Sequence, residues 1–228
     1  MAPEDVGSAR RIVEVSEYGG EGAVIIAATQ LGSGYTERRK RQLVDEWVDF
    51  FAQGPSGIRA LQFTTRTPKR LFDALRSQSQ LVTLDIKWGD YHDLSTLATM
   101  TDLRSLRLKG ASKVKDLAPL GVLQSVETLH VEGLQGVVDA EPVAAMRSVT
   151  DLELGGNWVT PKIVRLPSIA FLARMPQLKR LLLHTLLVQD LDFSPLLDLP
   201  NLEWVRVMET RGMKPSRDHL MSQLPWVG

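Results

Sequence analysis

Cysteine is absent from all 228 residues of the chain. Disulfide bridges, thiolate metal sites and cysteine nucleophiles are therefore excluded. Familiar catalytic motifs are missing as well, namely the glycine-rich phosphate loops, the Gly-x-Ser-x-Gly elbow and the His-Glu-x-x-His pair. The four histidines, at positions 92, 130, 184 and 219, lack the spacing of metal ligands on one element. We therefore expect no enzyme and no cofactor.

Neither sign of charge is in excess, because 27 Lys and Arg residues balance 27 Asp and Glu residues. The long-range field that concentrates nucleic acid or anionic membrane around a strongly basic protein is therefore missing, and we expect neither partner. Long apolar runs are missing too. The longest, from Ala23 to Ala28, is too short to span a bilayer, and the acidic amino terminus does not resemble a secretory signal. We expect a cytoplasmic location.

The sequence contains a six-residue motif that recurs seven times. Its copies are IRALQF, LVTLDI, LRSLRL, VETLHV, VTDLEL, LKRLLL and LEWVRV, and they begin at Ile58, Leu81, Leu103, Val126, Val149, Leu178 and Leu202. Successive starts are 23, 22, 23, 23, 29 and 24 residues apart. Apolar residues at the first, fourth and sixth positions predict a short strand that is buried on one face. Such strands become stable when the coils stack on one another, as in a solenoid.

These units, with forms such as DLAPLGVLQSVETL, resemble leucine-rich repeats and are similar to those of internalin-like bacterial proteins. The resemblance covers Ile58 to about Val207. It implies an α/β fold, a right-handed leucine-rich-repeat solenoid with a parallel β-sheet on its concave face. Extracellular repeat proteins often have disulfide-bonded caps, so the lack of cysteine also favours an intracellular protein.

The ninth position of each unit departs from the family pattern. Asparagine is usual there because its side chain bonds backbone groups in the turn that leaves the strand. Only Asn157 keeps it, whereas Gly89, Ala111, Leu134 and Leu186 replace it in other units. The backbone polar groups of those turns must therefore be satisfied in another way.

Residues 1–57 are predicted to cap the first repeat, since a terminal coil would otherwise expose apolar side chains. RRIVEVSE and GAVIIAAT predict two strands, as a β-hairpin or separately, and TERRKRQLVDEWVDFFAQ predicts an amphipathic helix. Leu43, Trp47, Phe50 and Phe51 share the apolar side of this helix. Its basic run ERRKRQ is interpreted as a solvated face, with a nucleic-acid contact as the alternative.

Residues 58–207 hold the seven repeats, and residues 208–228 are predicted to form a C-terminal cap. In that cap we expect a short helix between Pro215 and Leu224, with Trp226 folded back onto the last repeat. The fifth unit is about six residues longer than its neighbours, and the extra residues fall in NWVTPKIVRLP. Neutral drift explains an insertion of this size, and a loop that contacts a partner is the alternative.

The outward positions of the strands define a concave surface, where equivalent residues of neighbouring repeats lie about 4.8 Å apart. Opposite charges on such neighbours predict a cross-strand pair between Asp85 and Arg107. Leu182, Trp204 and Met208 predict an apolar patch toward the carboxyl end.

At the eighth position of successive repeats, Trp88 is followed by Gly110, Gly133 and Gly156. A turn that needs positive φ explains these glycines, and a trough for a peptide or loop is the alternative. Trp88, Trp158 and Trp204 are candidate anchors, because tryptophan is enriched in binding hot spots, although each could instead pack on the solenoid.

The sequence therefore predicts a non-catalytic, monomeric, bacterial protein-interaction module that binds a protein partner through the concave face and flanking loops. The candidate contacts are Trp88, Arg107, His130, Glu153, Trp158, Arg180, Leu182, His184, Trp204 and Arg206. An immunity or inhibitor-type protein that blocks one enzyme or toxin is an alternative. A metal-assisted hydrolase at Asp90, His92 and Asp93 is another, although a repeat-turn aspartate beside exposed residues is the simpler interpretation.

Overall fold

The structure, a computed structural model, describes residues 9–157 and 162–227. Nine of its strands form one parallel sheet in the order β1-β2-β3-β4-β5-β6-β7-β9-β11. They are β1 Arg10–Ile12, β2 Ala23–Ile26, β3 Ala60–Phe63, β4 Thr83–Ile86, β5 Ser105–Leu108, β6 Thr128–Glu132, β7 Asp151–Gly155, β9 Arg180–His184 and β11 Trp204–Val207. Two further strands, β8 Val164–Leu166 and β10 Leu186–Val188, form a separate parallel pair.

Helical segments connect successive strands of the large sheet. The α-helices are α1 Glu37–Ala52, α2 Lys69–Ala74 and α3 Arg217–Gln223. The 3-10 helices are Val15–Glu17, Leu75–Ser77, Ser95–Thr99, Ala118–Val122, Glu141–Ala145, Ala170–Arg174 and Ser194–Asp198. From Leu75–Ser77 onward, consecutive 3-10 helices contact one another, so these connections stack in the same order as the strands.

One buried row of side chains fixes the stacking. Leu84, Leu106, Leu129 and Leu152 are register partners on neighbouring strands, and each is 0% exposed. Leucine buried in this way stabilises a fold by about 1.5–3 kcal/mol per side chain. The sequence prediction of a stacked coil with a parallel sheet on one side is therefore confirmed.

The amino-terminal strands continue this sheet. β1 and β2 pair in parallel, and β2 pairs in parallel with β3, so that Val24 extends the row of Leu61 and Ile26 that of Phe63. Parallel strands cannot form a hairpin, which requires antiparallel neighbours. The β-hairpin alternative for the amino terminus is therefore wrong, and the segment adds two strands to the solenoid sheet.

Helix α1 covers the apolar side of these first strands. The Thr36 side chain caps its amino terminus by accepting a hydrogen bond from the backbone N–H of Arg39. Leu43, Trp47 and Phe51 are fully buried, and the indole N–H of Trp47 donates to the backbone carbonyl of Val13 at 2.8 Å. The amphipathic helix predicted for this segment is thus present and packs on the sheet.

Backbone bonds between neighbouring coils replace the usual asparagine in the turns after the strands. The backbone N–H of Ala111 donates to the carbonyl of Glu132 at 2.7 Å. The N–H groups of Gly133 and Leu134 donate to the carbonyl of Gly155 at 2.9 and 3.2 Å. These two turns therefore satisfy backbone donors with the backbone of the next coil, which explains how they tolerate the loss of asparagine.

Aspartate side chains begin several of the 3-10 helices on the opposite side of the coil. Asp93, Asp116, Asp139 and Asp192 each accept a hydrogen bond from the backbone N–H two residues later, at 2.8 to 2.9 Å. In the last repeat, Asp192 holds this position. These contacts satisfy backbone donors that a short helix leaves without a partner.

Part of the insertion in the fifth repeat is ordered structure. Val164 and Leu166 lie in β8, which pairs with β10 of the following repeat, and both side chains are buried. Residues 158–161 lie outside the described part of the chain. The described end of the insertion therefore has a packing role.

At the carboxyl end, α3 lies within the segment predicted to be helical. The backbone after it returns to β11, where Val205 donates to the carbonyl of Pro225 at 3.1 Å and accepts from Val227 at 3.0 Å. Trp226 therefore lies beside the last strand, with its side chain partly buried against the core. Within the described residues, no helix is both long and apolar enough to cross a membrane.

Candidate binding surface

The open face of the sheet is built from side chains that alternate with the buried rows, because successive residues of a strand point to opposite faces. Arg107, His130, Glu153, Leu182 and Arg206 are consecutive register partners in one column of this face. Arg206 is exposed and the other four are half-buried. The structure therefore aligns these five candidate contacts as the sequence predicts.

Acidic and imidazole groups alternate at the centre of this face. His130 Nε2 lies 3.3 Å from Asp151 Oδ1, and His130 Nδ1 lies 3.6 Å from Glu153 Oε2. On the other side of Glu153, its Oε1 lies 3.1 Å from Nε2 of His184, which is only 5% exposed. This cluster spans β6, β7 and β9, and it contains three of the candidate residues, His130, Glu153 and His184.

Arg180 and Trp204 form the next feature toward the carboxyl end. The Arg180 guanidinium lies 4.7 Å from the centroid of the Trp204 ring, within the range of cation–π attraction. Its Nε also lies 3.7 Å from Asp151 Oδ2. Trp204 is half-buried, so that part of its ring faces solvent. The two residues present a rigid aromatic and cationic surface, which is typical of binding hot spots.

A small cavity of about 310 Å³ lies beside this pair. Leu182, Arg206 and Met208 line it from the sheet, and Trp226 lines it from the carboxyl-terminal segment. Of the apolar patch that the sequence predicts, Leu182 and Met208 thus share one cavity with the folded-back carboxyl-terminal segment, whereas Trp204 does not line it.

A larger concavity lies at the other end of the face. It has a volume of about 1000 Å³ and runs from β3 to the segment that follows β7. We call it the amino-terminal groove. It is lined by Gln62, Phe63, Thr64, Asp85, Lys87, Trp88, Lys109, Gly110, Ser112, Glu132, Gly133, Gln135, Asn157 and Lys162.

Charges in the groove are paired differently from the sequence expectation. Asp85 and Arg107 are register partners, but the Asp85 carboxylate accepts a hydrogen bond from Gln62 Nε2 at 3.0 Å and lies 3.9 Å from Lys109 Nζ. Across the described ranges, 9–157 and 162–227, Arg107 forms no ion pair. The expected cross-strand pair between Asp85 and Arg107 is therefore replaced by a diagonal contact, which register alone does not reveal.

Two glycines shape the margin of the groove. Gly110 and Gly133 have φ of +62° and +86°, a backbone conformation that favours glycine. A Cβ atom on Gly133 would lie 2.9 Å from the backbone nitrogen of Ala111. The turn explanation is therefore confirmed for Gly110 and Gly133. It is wrong for Gly156, whose φ is not positive and where a Cβ atom would instead clash with the backbone carbonyl oxygen of Lys162. The trough alternative also fits, because Gly110 and Gly133 line the concavity.

Trp88 lies at one end of the groove and is half-buried. The Arg66 guanidinium lies 5.8 Å from the centroid of its ring and also pairs with Asp90. The third candidate anchor, Trp158, lies outside the described residues. Trp88 and Trp204 thus mark two separate regions of the same face.

The polar cluster at Asp90, His92 and Asp93 is not arranged as a metal site. Asp90 pairs with Lys113 at 2.8 Å and with Arg66, and the hydrogen bond from Lys113 lowers the pKa of its carboxyl. Asp93 accepts hydrogen bonds from the backbone and hydroxyl of Ser95, which also lower its pKa. No three histidine or carboxylate side chains among the described residues converge as metal ligands. The geometry gives the metal-assisted hydrolase no support.

The candidate residues thus divide into two groups. Trp88 alone lies in the groove, whereas Arg180, Trp204, Leu182, Arg206 and the histidine cluster lie in the carboxyl-terminal half. The sequence prediction omitted Lys87, Lys109 and Lys162, which the structure places around Trp88. Lys87 and Lys109 occupy the seventh position of neighbouring repeats. A comparison of like charges at equivalent positions would therefore have identified these two lysines from the sequence.

No family model matches the sequence, and neither does any curated protein. Solved structures do match. An internalin from Listeria monocytogenes superposes with a TM-score of 0.57 and 17% identity over 91% of this chain and 56% of that one. The chain has the leucine-rich-repeat fold.

Leucine-rich-repeat receptors from plants are similar over a smaller share of their length. The plant peptide hormone receptor RGFR1, solved in complex with RGF2, has a TM-score of 0.55 and 12% identity, and 71% of this chain covers 26% of it. The leucine-rich-repeat ectodomain of GASSHO1/SCHENGEN3 from Arabidopsis thaliana, in complex with CASPARIAN STRIP INTEGRITY FACTOR 2, has a TM-score of 0.50 and 17% identity. That match spans 65% of this chain and 18% of the ectodomain chain. The present chain is thus about half the length of the internalin and a smaller part of these receptors.

Proposed function

We propose that the chain is a non-catalytic interaction module that binds a protein partner through its concave face and flanking loops. The observation that carries this proposal is the open face itself, on which an arginine-stacked tryptophan, a cavity and a cluster of carboxylates and imidazoles lie on neighbouring strands. Tryptophan and arginine dominate the energetics of protein interfaces. Two structurally similar plant receptors were solved in complex with named ligands, which supports binding as the activity of this fold.

The proposed contacts are the candidate residues named from the sequence. Those in the carboxyl-terminal half are His130, Glu153, Arg180, Leu182, His184, Trp204 and Arg206, with Arg107 on β5 next to them and Trp88 in the groove. We keep Trp158 as a proposed contact. Division of the chain into a cap over residues 1–57, repeats over residues 58–207 and a cap over residues 208–228 is also a proposal.

The size of the sheet argues that loops contribute to the interface. Nine strands about 4.8 Å apart give about 38 Å of sheet. With about 12 Å of exposed strand, the face measures about 460 Å², below the roughly 800 Å² that each partner contributes to a standard stable interface. A tight protein partner must therefore also contact the turns beside the sheet.

The test is affinity capture of the partner from an extract of the source cell, followed by cross-linking and mass spectrometry. We expect Trp204→Ala and Arg180→Ala to weaken capture without lowering thermal stability much. Val122→Ala is the matched control, because Val122 is 55% exposed on a 3-10 helix away from the sheet. Unchanged capture by both face variants would move the site away from the carboxyl-terminal half of the face.

The same experiment distinguishes the inhibitor alternative. A stoichiometric complex with one enzyme or toxin, whose activity is lost on binding, would make the chain an immunity or inhibitor-type protein. The bacterial origin, cytoplasmic location and monomeric state favoured by the sequence stay predictions. Cell fractionation tests the second of these, and sedimentation of the purified chain tests the third.

A further inference from the structure

We propose that the amino-terminal groove binds an extended peptide segment of the partner that carries acidic side chains together with one apolar side chain. This proposal rests on the proposed function and assigns a ligand chemistry to one region of the same face. It depends on four features of the groove, namely its length, its lysines, Trp88 and the glycine margin.

The dimensions of the groove fit an extended chain. From β3 to β7 there are four strand spacings, or about 19 Å, which about six residues of extended peptide span. The groove volume of about 1000 Å³ lies at the upper end of the range for small-molecule pockets. The space therefore suits a short peptide segment better than a single side chain.

Positive charge in the groove is only partly compensated. Lys87 and Lys162 are exposed, and neither forms an ion pair with any residue in the described ranges. Lys109 lies 3.9 Å from Asp85, a loose contact that Asp85 combines with its hydrogen bond from Gln62. An acidic side chain that enters the groove can therefore accept charge-assisted hydrogen bonds from these ammonium groups without breaking a tight ion pair.

Trp88 and the glycines supply the apolar and backbone contacts. The half-buried indole of Trp88 offers a flat apolar area, on which an aliphatic or aromatic side chain can pack. Gly110 and Gly133 have no side chains to keep a ligand backbone away from this margin. The backbone of a ligand can therefore lie close to this margin. This explains why a linear peptide segment, and not only a folded surface, fits the groove.

Acidic groups in the lining favour a peptide over a nucleic acid. The Asp85 and Glu132 side chains both line the groove and are buried to more than nine-tenths. A regular phosphate backbone would bring a negative charge close to them at each nucleotide, whereas a peptide can place its carboxylates beside the lysines only. The chain also has no net charge to concentrate nucleic acid around it.

The experiment selects ligands for the immobilised chain from a phage-displayed library of random linear dodecapeptides. We expect the selected peptides to be enriched in Asp and Glu, with an aliphatic or aromatic residue at a constant distance from them. Synthetic fluorescein-labelled copies are then titrated and followed by fluorescence anisotropy. Binding should weaken as the salt concentration rises, since exposed charges are screened.

Variants locate the binding in the groove. The double variant Lys87→Glu with Lys162→Glu should weaken affinity about ten-fold or more, and Lys87→Gln with Lys162→Gln somewhat less, as expected for lost charge-assisted bonds. Trp88→Ala should also weaken it. Arg147→Glu is the matched control, because Arg147 is an exposed cation beside the 3-10 helix Glu141–Ala145, does not line the groove and should leave affinity unchanged. Circular dichroism melting confirms that each variant is folded.

Several results would overturn the proposal. They are a selection without enriched peptides, enriched peptides without acidic residues, and affinities that the lysine variants do not change. Binding of a labelled ten-nucleotide poly-dT that depends on Lys87 and Lys162 would assign the groove to single-stranded nucleic acid. Partner capture that depends on Arg180 and Trp204 but persists after a failed peptide selection would leave the proposed function intact.

Discussion

The amino-terminal and carboxyl-terminal halves of the open face differ in how their charges are arranged. In the carboxyl-terminal half, carboxylates, imidazoles and Arg180 contact one another, and Arg180 stacks on Trp204. In the amino-terminal half, Lys87 and Lys162 line an open groove without an ion pair to any described residue. The carboxyl-terminal half resembles a preorganised surface for a folded partner. The amino-terminal half resembles a site that is completed by an anionic ligand.

The buried side of the sheet shows no such difference. Leu106 in the amino-terminal half and Leu181 in the carboxyl-terminal half occupy the same row, and both are 0% exposed. The two halves therefore share one framework and differ only in the side chains that point outward. This is how a solenoid can change what it binds without changing how it folds.

The largest expected effect tests the shared framework. Leu106→Ala and Leu181→Ala should each lower the free energy of unfolding by about 2–5 kcal/mol, because each removes buried methyl groups and leaves a cavity. Urea denaturation followed by circular dichroism measures both. A loss much larger in one half than in the other would show that the rows are not equivalent and that the halves unfold separately.

The second expected effect concerns the turns beside the two halves. Gly133 follows β6 and lines the amino-terminal groove, whereas Thr185 follows β9 and lines the carboxyl-terminal cavity; their φ values are +86° and +51°. Gly133→Thr should cost about 1–3 kcal/mol, since a β-branched residue is strained there and its Cβ would contact the backbone nitrogen of Ala111. Thermal and urea unfolding provide the measurement.

The matched control is Thr185→Gly. It removes the strain of a non-glycine residue at positive φ but makes the unfolded chain more flexible, so stability should change by less than about 1 kcal/mol. Equal effects of the two substitutions would show that the groove margin does not depend on glycine. The comparison of the halves would then rest on charge alone.

The sequence predicted the framework better than the surface. The leucine row could be read directly, because burial at a constant period leaves apolar residues at constant positions. The sequence also predicted the strand at β2, but not that β2 pairs with β3 in the same sheet, because helix α1 lies between them and makes the spacing from Val24 to Leu61 longer than one repeat. The diagonal contact of Lys109 with Asp85 depends on how two flexible side chains are oriented, which the register of the strands does not determine.

The third expected effect is acid sensitivity shared by both halves. Hydrogen bonds from the backbone and hydroxyl of Ser95 lower the pKa of Asp93, and those from the hydroxyl and backbone of Ser194 lower the pKa of Asp192. A folded-state pKa below the unfolded value, about 3.9, means that the stabilisation is present above that pH and is lost as pH falls through the folded-state pKa. The urea midpoint should therefore fall when the pH is lowered from about 7 to about 3.

Asp93→Ala and Asp192→Ala identify the groups responsible. Each variant should be less stable than the parent chain at neutral pH and should lose less stability on acidification, because it lacks one carboxylate that titrates. An acid response in both variants as steep as in the parent chain would show that other carboxylates cause it. A change in only one of them would place the acid sensitivity in one half.

The smallest expected effect on stability is that of Arg107→Ala. Arg107 lies on β5 between the groove and the histidine cluster, is half-buried and forms no ion pair among the residues that the structure describes, so unfolding should change by less than about 0.5 kcal/mol. Its effect on binding is more informative. If one partner covers both halves, Arg107→Ala should weaken capture of the protein partner and also binding of the selected peptides. If neither affinity changes, the halves bind independently and Arg107 belongs to neither site.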